Sequence, residues 1–302
     1  MTLGKLFYWF QFNQKRGLRA AWNDYFETPR LIKRWENPHR EKDVESVPVH
    51  ILLGEDQYRL CWWMLASWFY FTERNWTIVL HGDESLSNSR IEPLLERIGP
   101  SASYVDSDSS FRALEPQLRS RPHCLTYRKR HPLAHKCFDI PHFVDSERYI
   151  MLDTDLIFFR KPETILYWID EDDESVWFND DDSEACPLDK DVLKEKTGVR
   201  LWPRVNSGLC LLRKSIVDLD FFEELFKTSL NEVKSWRIEQ TLLALAASRY
   251  GKGGCLSADY EVSLGDKAQH SAPVARHYVG AVRQRFFGEG VQRVKRKLIP
   301  GK

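Results

Sequence analysis

The chain has 302 residues, 42% hydrophobic and 29% charged, with a formal net charge of zero. That is enough for one large or two small domains with an ample core, and it excludes a disordered or fibrous protein. Neutrality overall points to no nucleic-acid or anionic-membrane partner, but the charge is unevenly placed: residues 1–35 carry seven Lys/Arg against two Asp/Glu, residues 285–302 carry six against one, and residues 170–191 hold eleven acids and one lysine.

Residues 1–46 read as a basic, aromatic appendage. Its aromatics (Phe7, Trp9, Phe10, Trp22, Tyr25) can pack on the main domain or lie on an anionic membrane, and packing is the commoner use. The main unit is expected over 47–285, with 286–302 as a basic tail. Pro48–Leu53 reads as a strand ending at Gly54. Leu60, Trp63, Met64, Ser67, Trp68 and Phe71 have the spacing of a largely buried helix. Trp76–Leu80 is a second strand, followed by a helix over Ile91–Ile98. Strand–helix–strand–helix with short connections opens a parallel α/β sheet. The chain lacks G-x-G-x-x-G and G-K-[ST], so neither a dinucleotide fold nor a P-loop is supported.

Residues 100–132 give no clear pattern, and Arg128-Lys-Arg-His131 reads as an exposed basic run. A helix over Leu133–Phe143, interrupted by Pro141, leads to the strand Tyr149–Leu152. Asp153 and Asp155 follow, then a second apolar run, Leu156–Phe159. Two acids in so apolar a setting are costly without a partner. A divalent cation, manganese or magnesium, suits carboxylate oxygens; the plain alternative is a strand-end turn with capping acids. Beyond it come a helix from Pro162 to Ile169, an acidic loop in which Asp180-Asp181-Asp182 is expected to be mere loop, and strands at Val176–Phe178 and Gly208–Leu212. Asp220 with Glu223 fits a capping box for a helix that turns Phe222, Leu225, Phe226, Leu230 and Val233 inward. A last helix, Ile238–Arg249, stops at Gly251, and Val274–Gly280 is strand-like. The six cysteines form no C-x-x-C pair, consistent with reduced thiols in a cytoplasmic protein. No apolar segment approaches the ~20 residues of a membrane span.

Several of these segments together resemble a known family. Leu152-Asp153-Thr-Asp155 resembles the D-x-D motif of A-type nucleotide-sugar glycosyltransferases. Asn206-Ser207-Gly208 before a hydrophobic strand, Glu239-Gln240-Thr241 opening a helix, and His277-Tyr-Val-Gly280-Ala-Val-Arg283 are similar to the N-S-G, D-Q and H-x-x-G-x-x-K elements of glycosyltransferase family 8, whose members are retaining galactosyl-, glucosyl- and glycogenin-like enzymes. Order and spacing agree from about Val47 to Arg283. Glu239 stands for the usual Asp, Arg283 for the usual Lys, and no Pro-Trp follows it.

The resemblance implies a single Rossmann-like A-type domain with a mixed, mostly parallel central sheet and flanking helices. It implies Asp153, Asp155 and His277 as ligands of Mn2+ or Mg2+, with Asp153 also at the donor ribose. It implies Lys136, Asn206, Gly280 and Arg283 at the donor, and Glu239 and Gln240 beside the reacting carbon. The expected reaction moves a hexose from a nucleotide sugar, a UDP-sugar first, to a glycan, lipid-linked or protein acceptor with retention. A sugar-phosphate nucleotidyltransferase and an inactive sugar-binding scaffold of the same fold are the alternatives. The basic ends allow peripheral contact with the inner face of a membrane.

Overall fold

The protein is described by a computed structural model over residues 17–184, 186–230, 235–264 and 272–299. Phe7, Trp9, Phe10 and Val233, named above from the sequence, lie outside these residues. The alternating apolar segments assemble as expected. Strands β1 (Val44–Leu53), β2 (Asn75–Gly82), β3 (Ala102–Val105), β4 (Arg148–Leu152), β6 (Val176–Asp180), β7 (Val205–Arg213) and β8 (Gly253–Cys255) form a seven-stranded sheet in the order β3-β2-β1-β4-β7-β6-β8. All neighbours run parallel except β7, which is antiparallel to both β4 and β6. A small second sheet has the order β5-β10-β9, built from β5 (Leu156–Phe158), β9 (Tyr260–Val262) and β10 (Ala275–His277).

The two-residue period of a strand divides the core into two. On β4, Ile150 and Leu152 enter one cluster while Tyr149 and Met151 enter the other; on β7, Leu209 and Leu211 oppose Cys210 and Leu212. The helix Tyr58–Thr72 covers the first face and fully buries Trp62, Trp63 and Trp68, which is why its sequence is apolar nearly all round. The helix Ile238–Tyr250 covers the second and stops at Gly251, whose φ of 79° is the left-handed cap that glycine adopts freely. Leu31 and Trp35 near the start of the described chain, and Phe286, Phe287, Val291, Val294 and Leu298 near its end, belong to the first cluster. The cysteines are unpaired, and among the described residues no helix is long and apolar enough to cross a membrane.

Two local expectations change, and part of the stretch over 100–132 that shows no pattern in sequence takes form. Asp106 accepts from the Ser109 backbone N–H at 2.9 Å and caps a helix, Ser107–Leu118. Arg128 is not solvated but 3% exposed, held by Asp139 through Nε at 2.5 Å and Nη2 at 2.7 Å. The helix Leu219–Leu225 is capped by Asp218, not Asp220, and Glu223 caps a different helix, accepting from the backbone N–H of His123 and Cys124 at the start of Pro122–Arg130.

Candidate active site

β4 ends at Leu152, and the chain turns through Asp153-Thr154-Asp155 before entering β5. The turn is tied at both ends: the Asp153 N–H donates to the Gly208 carbonyl on β7 at 2.7 Å, and the Tyr278 N–H donates to the Asp155 carbonyl at 2.9 Å. Because β5 pairs antiparallel with β10, with Leu156 opposite His277, the imidazole arrives beside the acid pair. Its Nε2 lies 2.8 Å from Asp155 Oδ1 and 3.6 Å from Asp153 Oδ2.

The ring is fixed from behind. His277 Nδ1 is 2.9 Å from Asn206 Oδ1, an acceptor, so Nδ1 carries a proton and Nε2 is the nitrogen presented to the carboxylates. The Asn206 oxygen also accepts from the Gly208 N–H at 2.9 Å, and its amide nitrogen donates to Asp181 Oδ2 at 2.7 Å. The imidazole packs so closely on Gly208 that a Cβ there would lie 2.1 Å from its Cε1. Only glycine leaves room for the ring, which gives the Asn206-Ser207-Gly208 segment a steric reason; it lies within β7, not before it.

Two protein cations, beside the imidazole, flank the two acids. Lys136 Nζ is 2.6 Å from Asp153 Oδ1, and Arg283, from the 3-10 turn Gly280–Arg285, reaches Asp155 Oδ2 through Nε at 2.9 Å and Nη2 at 2.8 Å. Burial favours a neutral Asp155, but His277 and then Arg283 outweigh it and hold its pKa down at about 2. Burial likewise opposes the charged His277, yet Asp155 raises its pKa above the ordinary histidine value. The Lys136 ammonium is also penalised by burial, and the charges of Asp153 and Glu239 more than restore it.

Glu239 and Gln240 open the helix Ile238–Tyr250 on the far side of this group. Glu239 Oε2 accepts from the Ser207 hydroxyl at 3.1 Å, while Oε1 accepts no hydrogen bond among the described residues, with Lys136 Nζ 3.9 Å away. Burial pushes the Glu239 pKa up against the pull of Lys136. The Gln240 amide nitrogen is also buried without a hydrogen-bond partner among the described residues. All nine residues singled out from the sequence (Lys136, Asp153, Asp155, Asn206, Glu239, Gln240, His277, Gly280 and Arg283) line one cavity of about 390 Å³. A Cβ on Gly280 would meet nothing within 4 Å, so that position opens onto free space.

One ligand atom from each of Asp153, Asp155 and His277 lies within 4.8 Å of the others, the one such grouping of three among the described residues. Two carboxylates and a neutral imidazole nitrogen are a donor set that fits a hard or borderline divalent cation.

No protein-family model matches the sequence, and no curated protein matches it. Solved structures match its shape. Mouse xyloside xylosyltransferase 1, in its apo form, superposes with a TM-score of 0.52 at 10% identity, over 78% of this chain and 98% of that one. The apo structure of the bifunctional glycosyltransferase WbbM gives 0.54 at 12% identity, over 84% of this chain and 51% of that one. An active-site mutant of LgtC gives 0.50 at 13%, over 78% and 88%. The chain has the A-type glycosyltransferase fold.

Open α/β sheets of this kind carry ligands at the carboxyl ends of their strands, and the cavity lies there, beyond β4. Sequence reasoning missed some of the A-type chain's cavity residues. Asp181, set aside as loop, is 6% exposed and anchors Asn206. Ser207, known from the sequence only as the middle of the Asn206-Ser207-Gly208 segment, donates its hydroxyl to Glu239. Trp236 and Arg237 stand at the mouth, with the guanidinium 5.3 Å from the indole centroid. Only the nearness of Trp236 to Glu239 in sequence could have pointed to it.

Proposed function

We propose that this chain is a divalent-metal-dependent, retaining hexosyltransferase of the family 8 type, using a nucleoside-diphosphate sugar and first of all a UDP-sugar. The observation that carries this reading is the convergence of the Asp153, Asp155 and His277 ligand atoms with Lys136, Arg283, Glu239 and Gln240 around one cavity. The acceptor class is a glycan, a lipid-linked glycan or a protein; contact of the basic ends with an anionic membrane is a separate proposal on which the transferase reading does not depend. Within the chain, residues 47–285 would carry the transferase, with 1–46 and 286–302 as additions to it.

Asp153, Asp155 and His277 would hold Mn2+ or Mg2+, which when bound supplies positive charge for the leaving diphosphate. Breaking the bond from anomeric carbon to diphosphate oxygen leaves negative charge on that oxygen. Arg283, 44% exposed at its side chain and facing the cavity, can turn its fork from Asp155 to phosphate oxygens. Gly280 leaves that approach open. Glu239 Oε1 and Gln240 Nε2 are polar atoms held ready for a partner, because burying them unpaired is costly. They suit the sugar: the Glu239 carboxylate as nucleophile or as stabiliser of a cationic anomeric carbon, the Gln240 amide as a donor to a sugar oxygen. Lys136 sits between Asp153 and Glu239 and would orient both.

A screen of UDP-, GDP- and CMP-sugars with manganese, scored by released nucleotide, tests the reading. UDP release that disappears in Asp153→Ala, with the thermal midpoint unchanged, is the expected result. A folded protein that neither binds UDP nor releases it from any sugar would sink the reading. A second reading, a sugar-binding scaffold without turnover, is favoured by one observation: each of the two acids already has a protein cation, Lys136 on Asp153 and Arg283 on Asp155. A manganese titration separates the two, since a scaffold need bind none.

A further inference from the structure

The helical segment that opens the described chain runs from Leu18–Trp22 through a π-type turn, Asn23–Glu27, to Thr28–Arg34. Its faces are the reverse of the ordinary arrangement, in which large apolar side chains point inward. Inward are Ala20, Ala21, Asn23, Thr28 and Leu31. Outward are Leu18, Trp22, Tyr25 and Phe26, which are 69%, 55%, 41% and 52% exposed. Ten large hydrophobic residues are exposed among the described residues, and four of them fall within these nine positions, so the exposure is concentrated and calls for a cause. Trp22 and Phe26 already stack, with ring centroids 4.5 Å apart.

The helix is not loosely docked with its apolar side out by accident. The Asn23 amide donates to the Phe287 carbonyl at 2.6 Å, Lys295 Nζ donates to Asn23 Oδ1 at 2.8 Å, and Trp63 Nε1 donates to Thr28 Oγ1 at 2.9 Å. These bonds fix which side faces out and seat the segment beside the C-terminal helix Gln292–Leu298. Exposed cations flank the stripe on the segment itself: Arg19, Lys33 and Arg30, the last paired with Glu27 at 2.9 Å.

We propose that this stripe is a membrane-docking face, laying Leu18, Trp22, Tyr25 and Phe26 into the interfacial layer of an anionic bilayer while the surrounding Arg and Lys side chains meet its phosphates. Amphipathic helices that combine Trp, Phe and Leu with basic residues bind in this way. Charge selects lipid over the other occupants. A second copy of the chain would bring Arg19, Arg30 and Lys33 against their own counterparts. Residues 1–16 contain Lys5, Lys15 and Arg16 and no acid, so they cannot neutralise the rim. No residue of the stripe lines the cavity of the candidate active site.

Co-sedimentation of the full chain with phosphatidylcholine vesicles, with and without phosphatidylglycerol, tests this in the absence of donor and metal, so its failure leaves the transferase reading standing. Binding should require phosphatidylglycerol and weaken as salt rises. Trp22→Ser with Phe26→Ser should lower vesicle affinity by about tenfold or more at an unchanged thermal midpoint. Arg30→Gln with Lys33→Gln should lower it several-fold and flatten the salt dependence. Should the aromatic variant misfold, quenching of wild-type tryptophan fluorescence by bromolipid gives the same answer. Binding without lipid charge preference, unchanged binding by the aromatic variant, or no quenching would overturn the assignment. So would a concentration-dependent dimer that the aromatic variant abolishes, because a second copy would then be the occupant.

Discussion

Two buried histidines make acid stability the most exposed consequence of this fold. His50 on β1 and His81 on β2 are each 1% exposed, with His50 Nδ1 2.9 Å from His81 Nε2. The other ring nitrogens, His50 Nε2 and His81 Nδ1, have no hydrogen-bond partner among the described residues. Burial lowers the His50 pKa to about 3 and holds His81 well below its usual value. A folded pKa below the unfolded one means stability that is complete above pH ~6.5 and is lost as the pH falls toward the folded value. At ~1.36 kcal/mol per pH unit, His50 alone should remove about 2 kcal/mol between about pH 7.5 and 5, and His81 acts in the same direction. That is a large part of a typical 5–15 kcal/mol. Urea unfolding across that range measures it. In His50→Leu, whatever the offset at neutral pH from stranding His81, the fall in stability between those pH values should shrink by about 2 kcal/mol. An unchanged fall would refute the reasoning, because the histidine would then not be titrating across the unfolding transition.

The remaining predictions concern the site and its support. Gly208→Ala should displace the His277 ring, since the new Cβ would lie 2.1 Å from it, and calorimetry should show manganese binding lost from a protein that still folds. Asn206→Ala removes the acceptor that fixes the imidazole and should weaken manganese binding by roughly 10–100-fold; an unchanged affinity would mean that the tautomer is set elsewhere. Asp139→Asn leaves the Arg128 charge buried without its counterion and should cost about 3–5 kcal/mol by denaturant unfolding, with manganese affinity little changed.

What could be read from the sequence was whatever is local or periodic. The two-residue alternation of β4 and β7 sorts side chains onto two faces, and the helical spacing of the tryptophan-rich segment carries through into the buried helix Tyr58–Thr72. Contacts between distant segments left no local sign. Arg128 sits among Lys129 and Arg130, so composition reads the run as solvated, yet its partner Asp139 lies on another helix, Asp139–His142. Glu223 has the chemistry of a capping acid, and the sequence pattern assigned it to its own helix; the backbone N–H groups that it satisfies belong to another.

The acid pair shows the same limit from the other side. Two carboxylates in an apolar setting need a cation, and that argument from burial pointed to a metal. The protein itself brings two cations and an imidazole to them, Lys136 from one helix, His277 through the pairing of β10 with β5, and Arg283 from the turn that follows. Burial cost alone therefore no longer requires an ion at Asp153 and Asp155. The stronger argument for a ligand moves to Glu239 and Gln240. Their Oε1 and Nε2 atoms are buried at the cavity without hydrogen-bond partners among the described residues, and a fold that wanted only stability would not leave them so. A sugar carries hydroxyls that both donate and accept, and it can satisfy both atoms at once. The cations then gain a second use, because whatever draws Arg283 away from Asp155 must offer it at least as much negative charge, as a diphosphate does.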